Sequence, residues 1–154
     1  MKLEEKIGKI LKEKKLTLAL AESCTGGLVS KKITDISGSS DYFLGSVIAY
    51  SNKIKVALLK VSPKLLKKNG AVSPETAKAM ACGAKRLLKT DVAVSITGIA
   101  GPAGGSKEKP VGLAYIAFLS GKRSKVEKVF FKGTRRRNRE KFAIEVLRVI
   151  IENI

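Results

Sequence analysis

The order of apolar segments in this sequence predicts an α/β fold: a three-layer α/β/α sandwich on a mixed, mostly parallel sheet with a C-terminal antiparallel hairpin. Two observations carry that prediction. Short apolar runs, "LTLALA" (16–21), "GSVIAYS" (45–51) and "DVAVSIT" (91–97), alternate with stretches whose apolar residues recur at helical spacing. Two further strand-like runs, "VGLAYIAFL" (111–119) and "SKVEKVFF" (124–131), are separated by a turn at Gly121-Lys122, which favours a hairpin. Length sets the size: 154 residues fit a single domain, 1–154, able to bury about 70% of its unfolded surface.

Taken in order, Leu3, Ile7, Ile10 and Leu11 place an amphipathic helix over 3–15, with lysines and glutamates between them. "LTLALA" follows as a buried strand, and "TGGLVSKKITDI" as a helix whose start lies at Ser23 to Gly27. After the second strand, "NKIKVALLKV" returns to helical spacing at Ile54, Ala57 and Leu58, and "SPKLLKKNG" stops at Gly70, a natural helix end. "VSPETAKAMACGAKRLLKT" opens a helix with Ser73 as N-cap, Pro74 at the first helical position and Glu75 in the first turn. The third strand runs into the glycine-rich loop "GIAGPAGGSKEKP" (98–110). Beyond the hairpin, Phe142, Val146, Val149 and Ile150 predict a last helix over 137–154. There is no internal repeat, linker or low-complexity segment.

Composition narrows the function classes. With 44% hydrophobic and 29% charged residues the chain is globular, and "MKLEEKIGKILKEKK" lacks the uninterrupted apolar run of a signal peptide or membrane helix. A cytoplasmic protein without membrane attachment is expected. Cys24 and Cys82 make no disulfide framework, and a chain without histidine offers no zinc-type ligand set, so no metal is expected. A net charge of +18 concentrates anions at the surface, which keeps nucleotides, nucleic acid and acidic lipids in view. The basic residues are spread through nearly every segment and lysine dominates, a pattern also found on heat-adapted surfaces, and that reading outweighs a dedicated nucleic-acid surface.

In open α/β sheets, ligands bind beyond the carboxyl ends of the strands. Three turns sit at such ends: Glu22 to Gly27, Tyr50 to Lys55, and Thr97 to Gly105. If their strands are parallel neighbours, the three meet in one cleft. Ser23 fits a helix cap or a nucleophile; a cap alone leaves Gly26 and Gly27 unexplained, since those glycines let a group approach a helix N-terminus closely. The motif is not G-x-S-x-G, so the nucleophile elbow does not apply. Cys24 is the rival nucleophile, although a thiolate also commonly relies on histidine. Without histidine the base must be a lysine, a tyrosine or a carboxylate. Lys55, one turn into the helix that Tyr50 and Asn52 precede, qualifies only if burial and nearby charge lower its pKa from about 10.4 toward about 7 to 8. Spacing alone does not single it out among the chain's lysines. The glycines at 98, 101, 104 and 105 match neither a dinucleotide fingerprint nor a P-loop, but a long loop directly after a buried strand reads as a binding loop. "KGTRRRNREK" (132–141) gathers four arginines and two lysines before the last helix, where cations oppose the dipole unless an anion joins them.

Together, "AESCTGG", "GSVIAYSNKIKVALLKV", "GAVSPETAKAMACGA" and "SITGIAGPAGGSKEKPVGLAYIAF" resemble, in this order and at these intervals, the C-terminal domain family of the competence/damage-inducible protein CinA. The resemblance runs from about residue 5 to 150. Members of that family include stand-alone nicotinamide-nucleotide amidases. The resemblance implies hydrolysis of nicotinamide mononucleotide to nicotinate mononucleotide and ammonia, a step in pyridine-nucleotide recycling, with no metal or organic cofactor. It places the nucleophile on Ser23 and its base on Lys55, with Tyr50 in the catalytic set and Asn52 beside it in the "Y-S-N" signature. Thr97, Gly98 and Gly101 match the "TGIAGP" loop, backbone N–H groups around Cys24, Thr25 and Gly26 would hold the oxyanion, and Arg135 and Arg139 align as phosphate ligands. Two positions depart from the family pattern: Lys53 stands where a glutamate is usual, and Thr134 where an aspartate is common, which removes a negative charge.

An amidase acting on a small nucleotide is therefore the first expectation. The alternative is a basic nucleic-acid- or nucleotide-binding accessory module, related to competence or DNA damage, that lacks amidase activity and binds nucleic acid weakly and without sequence preference. Only 5% of residues are aromatic and no recognised nucleic-acid motif is present, so base stacking has few platforms. Nucleotide pyrophosphatase activity, as in longer CinA proteins, belongs by family analogy to a domain outside this sequence. The hairpin edge and apolar helices leave room for a homo-oligomer.

Overall fold

The computed structural model describes residues 1–154. Helix α1 (Leu3–Lys14) leads into strand β1 (Leu18–Glu22), helix α2 (Leu28–Thr34), a short 3-10 turn at Ser39–Asp41 and strand β2 (Phe43–Ile48). Helices α3 (Asn52–Ala57), α4 (Pro63–Asn69) and α5 (Pro74–Leu88) then precede β3 (Val92–Gly98), the hairpin β4 (Leu113–Ser120) and β5 (Arg123–Phe130), and helix α6 (Arg135–Asn153). The strands form one sheet in the order β2-β1-β3-β4-β5. β1 pairs parallel with both β2 and β3, while β3 with β4 and β4 with β5 pair antiparallel. The sheet is mixed, as expected: β4 alone runs against the others, although the pairings divide evenly between the two types. No helix is long and apolar enough to cross a membrane.

Side-chain size along the strands separates the two faces. Leu18, Leu20, Val92, Val94, Ile96, Ile116 and Phe118 point to the side covered by α1, α2 and α6, where Ile7, Leu11, Val29, Ile33, Phe142, Val146 and Ile150 complete the larger core. The intervening positions, Ala19, Ala21, Ala93 and Ala117, are small and face α5, which answers with Ala77, Met80, Ala81 and Ala84. Small residues on both surfaces let α5 lie close to the sheet. At Gly83 the same economy of side chain faces the segment after α3: an added Cβ would stand 2.1 Å from the Leu59 carbonyl oxygen.

Chain order explains the layers. From β1 the chain crosses through α2 to β2 on one side; from β2 it returns through α3, α4 and α5 to β3 on the other. Right-handed crossovers in opposite directions put their helices on opposite faces and leave a crevice at the carboxyl end of β1, where the order reverses. The register aligns Glu22 with Ile48 on one side and Ile96 on the other, so the residues that follow these three strands emerge level.

Several boundaries moved. α2 begins at Leu28, not within Ser23 to Gly27, and Gly27, with φ of 101°, provides no side-chain cap. Ser23 therefore does not cap a helix. α6 starts at Arg135 because Thr134 Oγ1 accepts from Arg137 N–H at 3.3 Å. The cap expected at Ser73 is present, accepting from Thr76 N–H at 3.1 Å, and Gly70 ends α4. Replacing Gly83 by alanine forces backbone apart and should lower stability by about 2 kcal/mol, the scale of core overpacking. Denaturant unfolding of G83A should show an earlier midpoint, whereas an unchanged midpoint would mean that α5 can move away at no cost.

Candidate active site

Each of the three turns brings its residues to the crevice by a separate local device. Ser23 follows the last residue of β1, and its N–H donates to Ile96 O at 3.1 Å, which extends the ladder by one bond and anchors Ser23 beside β3. After β2, the Ala49 N–H bonds Glu22 O at 2.8 Å, and the chain turns into α3 with Ser51 as N-cap, its Oγ accepting from Ile54 N–H at 3.2 Å. Helical side chains lean toward their own N-terminus. Lys55 accordingly reaches back over the start of α3 into the crevice. After β3, Thr97 Oγ1 donates to Ala71 O at 2.7 Å and ties the segment before α5 to the same opening.

The resulting cleft has a volume of about 300 Å³. Ser23, Cys24, Tyr50, Asn52, Lys55, Thr97, Gly98, Gly101 and Arg135, all picked from the sequence, line it. Ala71 and Val72 line it too, and were not anticipated. Three selected residues lie elsewhere. Thr25 is fully buried, donating its hydroxyl to Glu22 Oε2 at 2.6 Å. Gly26 is exposed on the turn, and Arg139 is half-buried against the turn's carbonyls, with Nε donating to Cys24 O at 3.1 Å and Nη2 to Thr25 O at 2.8 Å.

Lys55 dominates the electrostatics. Its side chain is 1% exposed and has no carboxylate partner. Nζ instead meets Ala49 O at 2.9 Å, Tyr50 O at 3.5 Å and Ser23 Oγ at 3.1 Å. Burial lowers its pKa from the ordinary lysine value, because a charge removed from water without a counter-ion is disfavoured. These three acceptors match the three N–H donors of an ammonium; a neutral amine can keep its bonds to the two carbonyls and turn its lone pair to the Ser23 hydroxyl.

Cys24 behaves oppositely. Burial pushes its thiol up to about 12, so it stays protonated near neutral pH and is a poor nucleophile. Ser23, 8% exposed and at the cleft wall, has Lys55 Nζ within hydrogen-bond reach. Around it, neither Cys24 N–H nor Thr25 N–H donates to an acceptor on another residue.

At the far side, Arg135 donates through Nη1 to Gly101 O at 2.9 Å and through Nη2 to Tyr50 OH at 3.0 Å. Two of its guanidinium donors thus join the glycine loop to the second turn, and the rest remain for a ligand. The conflict between arginines and the helix dipole is eased here by loop carbonyls. Asn138, fully buried one turn further on, adds a bond from Nδ2 to Ala100 O at 3.0 Å. Nowhere do three or more histidine, cysteine, aspartate or glutamate side chains gather as metal ligands.

One buried residue escaped the sequence reading. Glu22, 1% exposed, accepts from Gly27, Val29 and Ser30 N–H groups at 3.0, 3.1 and 2.8 Å, and from the Thr25 and Ser30 hydroxyls. It caps α2 from outside the helix, in place of Ser23. The available signal was a lone acid closing an apolar strand just before a helix N-terminus, where negative charge is favoured. For the thiols, alkylation of the native protein with iodoacetamide should modify exposed Cys82 and spare Cys24, and both should react after denaturation. Modification of Cys24 in the native state at neutral pH would contradict its assignment as buried and protonated.

Comparison with known proteins places the chain among proteins of one kind. A putative competence-damage inducible protein of Halothermothrix orenii is 54% identical over 139 residues, which cover 89% of this chain and 33% of that protein. The chain spans about a third of the length of the curated relatives it matches. Among solved structures, the competence damage-inducible protein A (ComA) of Klebsiella pneumoniae superposes with a TM-score of 0.95 at 25% identity, covering 98% of this chain and 94% of that one. The competence/damage inducible protein CihA of Agrobacterium tumefaciens gives 0.92 at 35% identity, covering 97% and 94%. With residues 1–154 matching the description "CinA C-terminal domain", the chain belongs to the CinA C-terminal domain family.

Proposed function

We propose that this domain is a metal-independent amidase that hydrolyses the carboxamide of a nicotinamide nucleotide, with Ser23 as nucleophile and Lys55 as general base. The observation that carries the proposal is the 3.1 Å approach of a buried, unpaired Lys55 Nζ to Ser23 Oγ. A solvated lysine stays protonated near neutrality; one held dry between two carbonyls does not need to be.

Chemistry follows from these positions. Ser23 Oγ attacks the amide carbon as its proton passes to Lys55 Nζ, and the amide oxygen becomes an oxyanion facing the unpaired Cys24 N–H. Lys55 returns the proton to the amide nitrogen, the C–N bond breaks, and ammonia leaves with an acyl group on Ser23. Water then attacks that ester, giving its proton to Lys55, and the Ser23–acyl bond breaks to free the carboxylate and restore the hydroxyl. Tyr50 and Arg135, joined by their hydrogen bond, border the path between base and loop. Arg135's remaining donors and the glycine loop would receive the anionic end of the substrate. The cleft volume lies at the lower end of the range for small-ligand sites, roughly 300 to 1,000 Å³, which suits a mononucleotide.

Ammonia release from nicotinamide mononucleotide, assayed with EDTA present, tests the reading. Lys55→Arg should lose about 10²- to 10⁴-fold in kcat, the usual worth of a positioned acid-base group, Ser23→Ala, which removes the nucleophile itself, should lose at least as much, and Cys24→Ala should stay within about threefold of the wild type. The base works only when deprotonated. kcat/KM should therefore fall as pH drops below the lowered Lys55 pKa, and level off above it at a pH under 10.5. Turnover that survives Lys55→Arg, or that disappears in Cys24→Ala alone, would overturn the assignment.

A second reading keeps one observation in its favour: Arg136, Arg137 and Lys141 stand exposed around the start of α6 and suit a polyanion. A binding module of that kind would hold DNA equally well after Ser23→Ala, with affinity that falls steeply with salt.

A further inference from the structure

The turn after β1 is held from two directions by groups that the Ser/Lys chemistry does not itself use. On its amide side lies the Glu22 carboxylate, which takes three backbone N–H groups and two hydroxyls between Thr25 and Ser30. On its carbonyl side lies the Arg139 guanidinium, reaching from α6 across 115 residues of sequence to Cys24 O, and with a second arm to Thr25 O. Gly26 makes room for it: its φ is 59°, and an added Cβ would come within 3.3 Å of Arg139 Nη2.

Planar trans peptides translate these grips into amide directions, since C=O and N–H of one peptide unit point opposite ways. The Ser23 carbonyl accepts from Gly26 N–H at 3.1 Å, so Cys24 N–H is turned away from the turn's interior. The Cys24 carbonyl is pinned on Arg139 Nε, which fixes the next unit. Cys24 lines the cleft and its N–H has no acceptor on another residue. Arg139, by contrast, does not line the cleft, and its fork already holds two carbonyls.

We propose that Glu22 and Arg139 are positioning residues that clamp the Ser23–Gly27 turn and hold Cys24 N–H as the oxyanion donor beside Ser23, so that Arg139 serves the turn and not a substrate phosphate. The proposal rests on the Ser/Lys amidase reading. It distinguishes the two aligned arginines: Arg135, in the cleft, meets the ligand, and Arg139 shapes the nucleophile's turn. A donor aimed at the oxyanion contributes only if it is already in place when charge develops, so loosening the clamp lowers kcat and leaves KM alone.

The test compares two amides, nicotinamide mononucleotide and its phosphate-free nucleoside, on wild type, Arg139→Gln, Arg139→Lys and Glu22→Gln. Arg139→Gln should lose about 10- to 100-fold in kcat on both substrates, with KM and the pH inflection of Lys55 unmoved. Arg139→Lys should recover little, since an ammonium cannot replace the two-armed grip. Glu22→Gln should show the same pattern, because its amide NH₂ must face a donor; should it fail to fold, the arginine variants carry the test. A rise in KM confined to the phosphorylated substrate would make Arg139 a phosphate ligand and overturn the clamp, as would unchanged kcat in Arg139→Gln.

A fluorophosphonate probe supplies a readout independent of the substrate. Ser23 Oγ bonds phosphorus, the P–F bond breaks, fluoride leaves and the serine proton passes to Lys55. The labelling rate should fall in Arg139→Gln by the same factor as kcat. If the wild type is labelled at Ser23 yet releases no ammonia, the substrate assignment fails while the labelling rates still decide the clamp. If the wild type is neither labelled nor active, the Ser/Lys reading fails and the clamp falls with it.

Discussion

An ammonium group cannot be taken out of water cheaply, and the site turns on that constraint. Isolating a charged amine in a protein interior costs several kcal/mol even after relaxation, roughly, and an opposite charge would be the usual remedy. Lys55 has none. Its Nζ meets two carbonyl oxygens and one hydroxyl, which can hydrogen-bond either form of the amine but give an ammonium no opposite charge. Burial therefore lowers the Lys55 pKa from the ordinary lysine value, the direction a lysine base needs in a chain that has no histidine.

The sheet makes that burial possible. Three parallel strands in matched register end level, so Ser23, the Ala49–Tyr50 carbonyls and Thr97 converge without long loops to aim them. Alanines on the face toward α5 keep that layer thin, and the segment of Gly70 to Val72 closes the cleft from the same side through the Thr97 bond to Ala71. The opposite wall comes from α6, whose first turn sends Arg135 to the glycine loop and Asn138 to Ala100. Both layers of helices therefore contribute to one opening, and the buried Glu22 carboxylate is satisfied by five donors.

Much of this was legible in the sequence, for identifiable reasons. Strands, the cap at Ser73 and the stop at Gly70 are local signals, and local signals survive folding when tertiary contacts agree with them. The convergence of three turns followed from one assumption, parallel neighbours, that the apolar runs supported. What escaped depended on partners far apart in sequence. A serine before two glycines looks like a cap until a carboxylate from the preceding strand takes over the helix amides. Arg135 and Arg139 look alike in "RRRNR", yet one helical turn sends the first to Gly101 and the second to Cys24. Ala71 and Val72 carry no chemical mark; only the fold places them in the cleft. Lys55 was one lysine among many by spacing, and its burial is what separates it.

The state of the Lys55 amine is the central claim, and it can be observed without any substrate. NMR titration of the lysine side chains, with the Lys55 signal assigned through Lys55→Arg, reads its protonation directly. The account predicts that Lys55 titrates below the ordinary lysine value of 10.5. If Lys55 remained an ammonium up to the pH at which the surface lysines lose their protons, it could not serve as base for Ser23, and the proposed mechanism would be wrong.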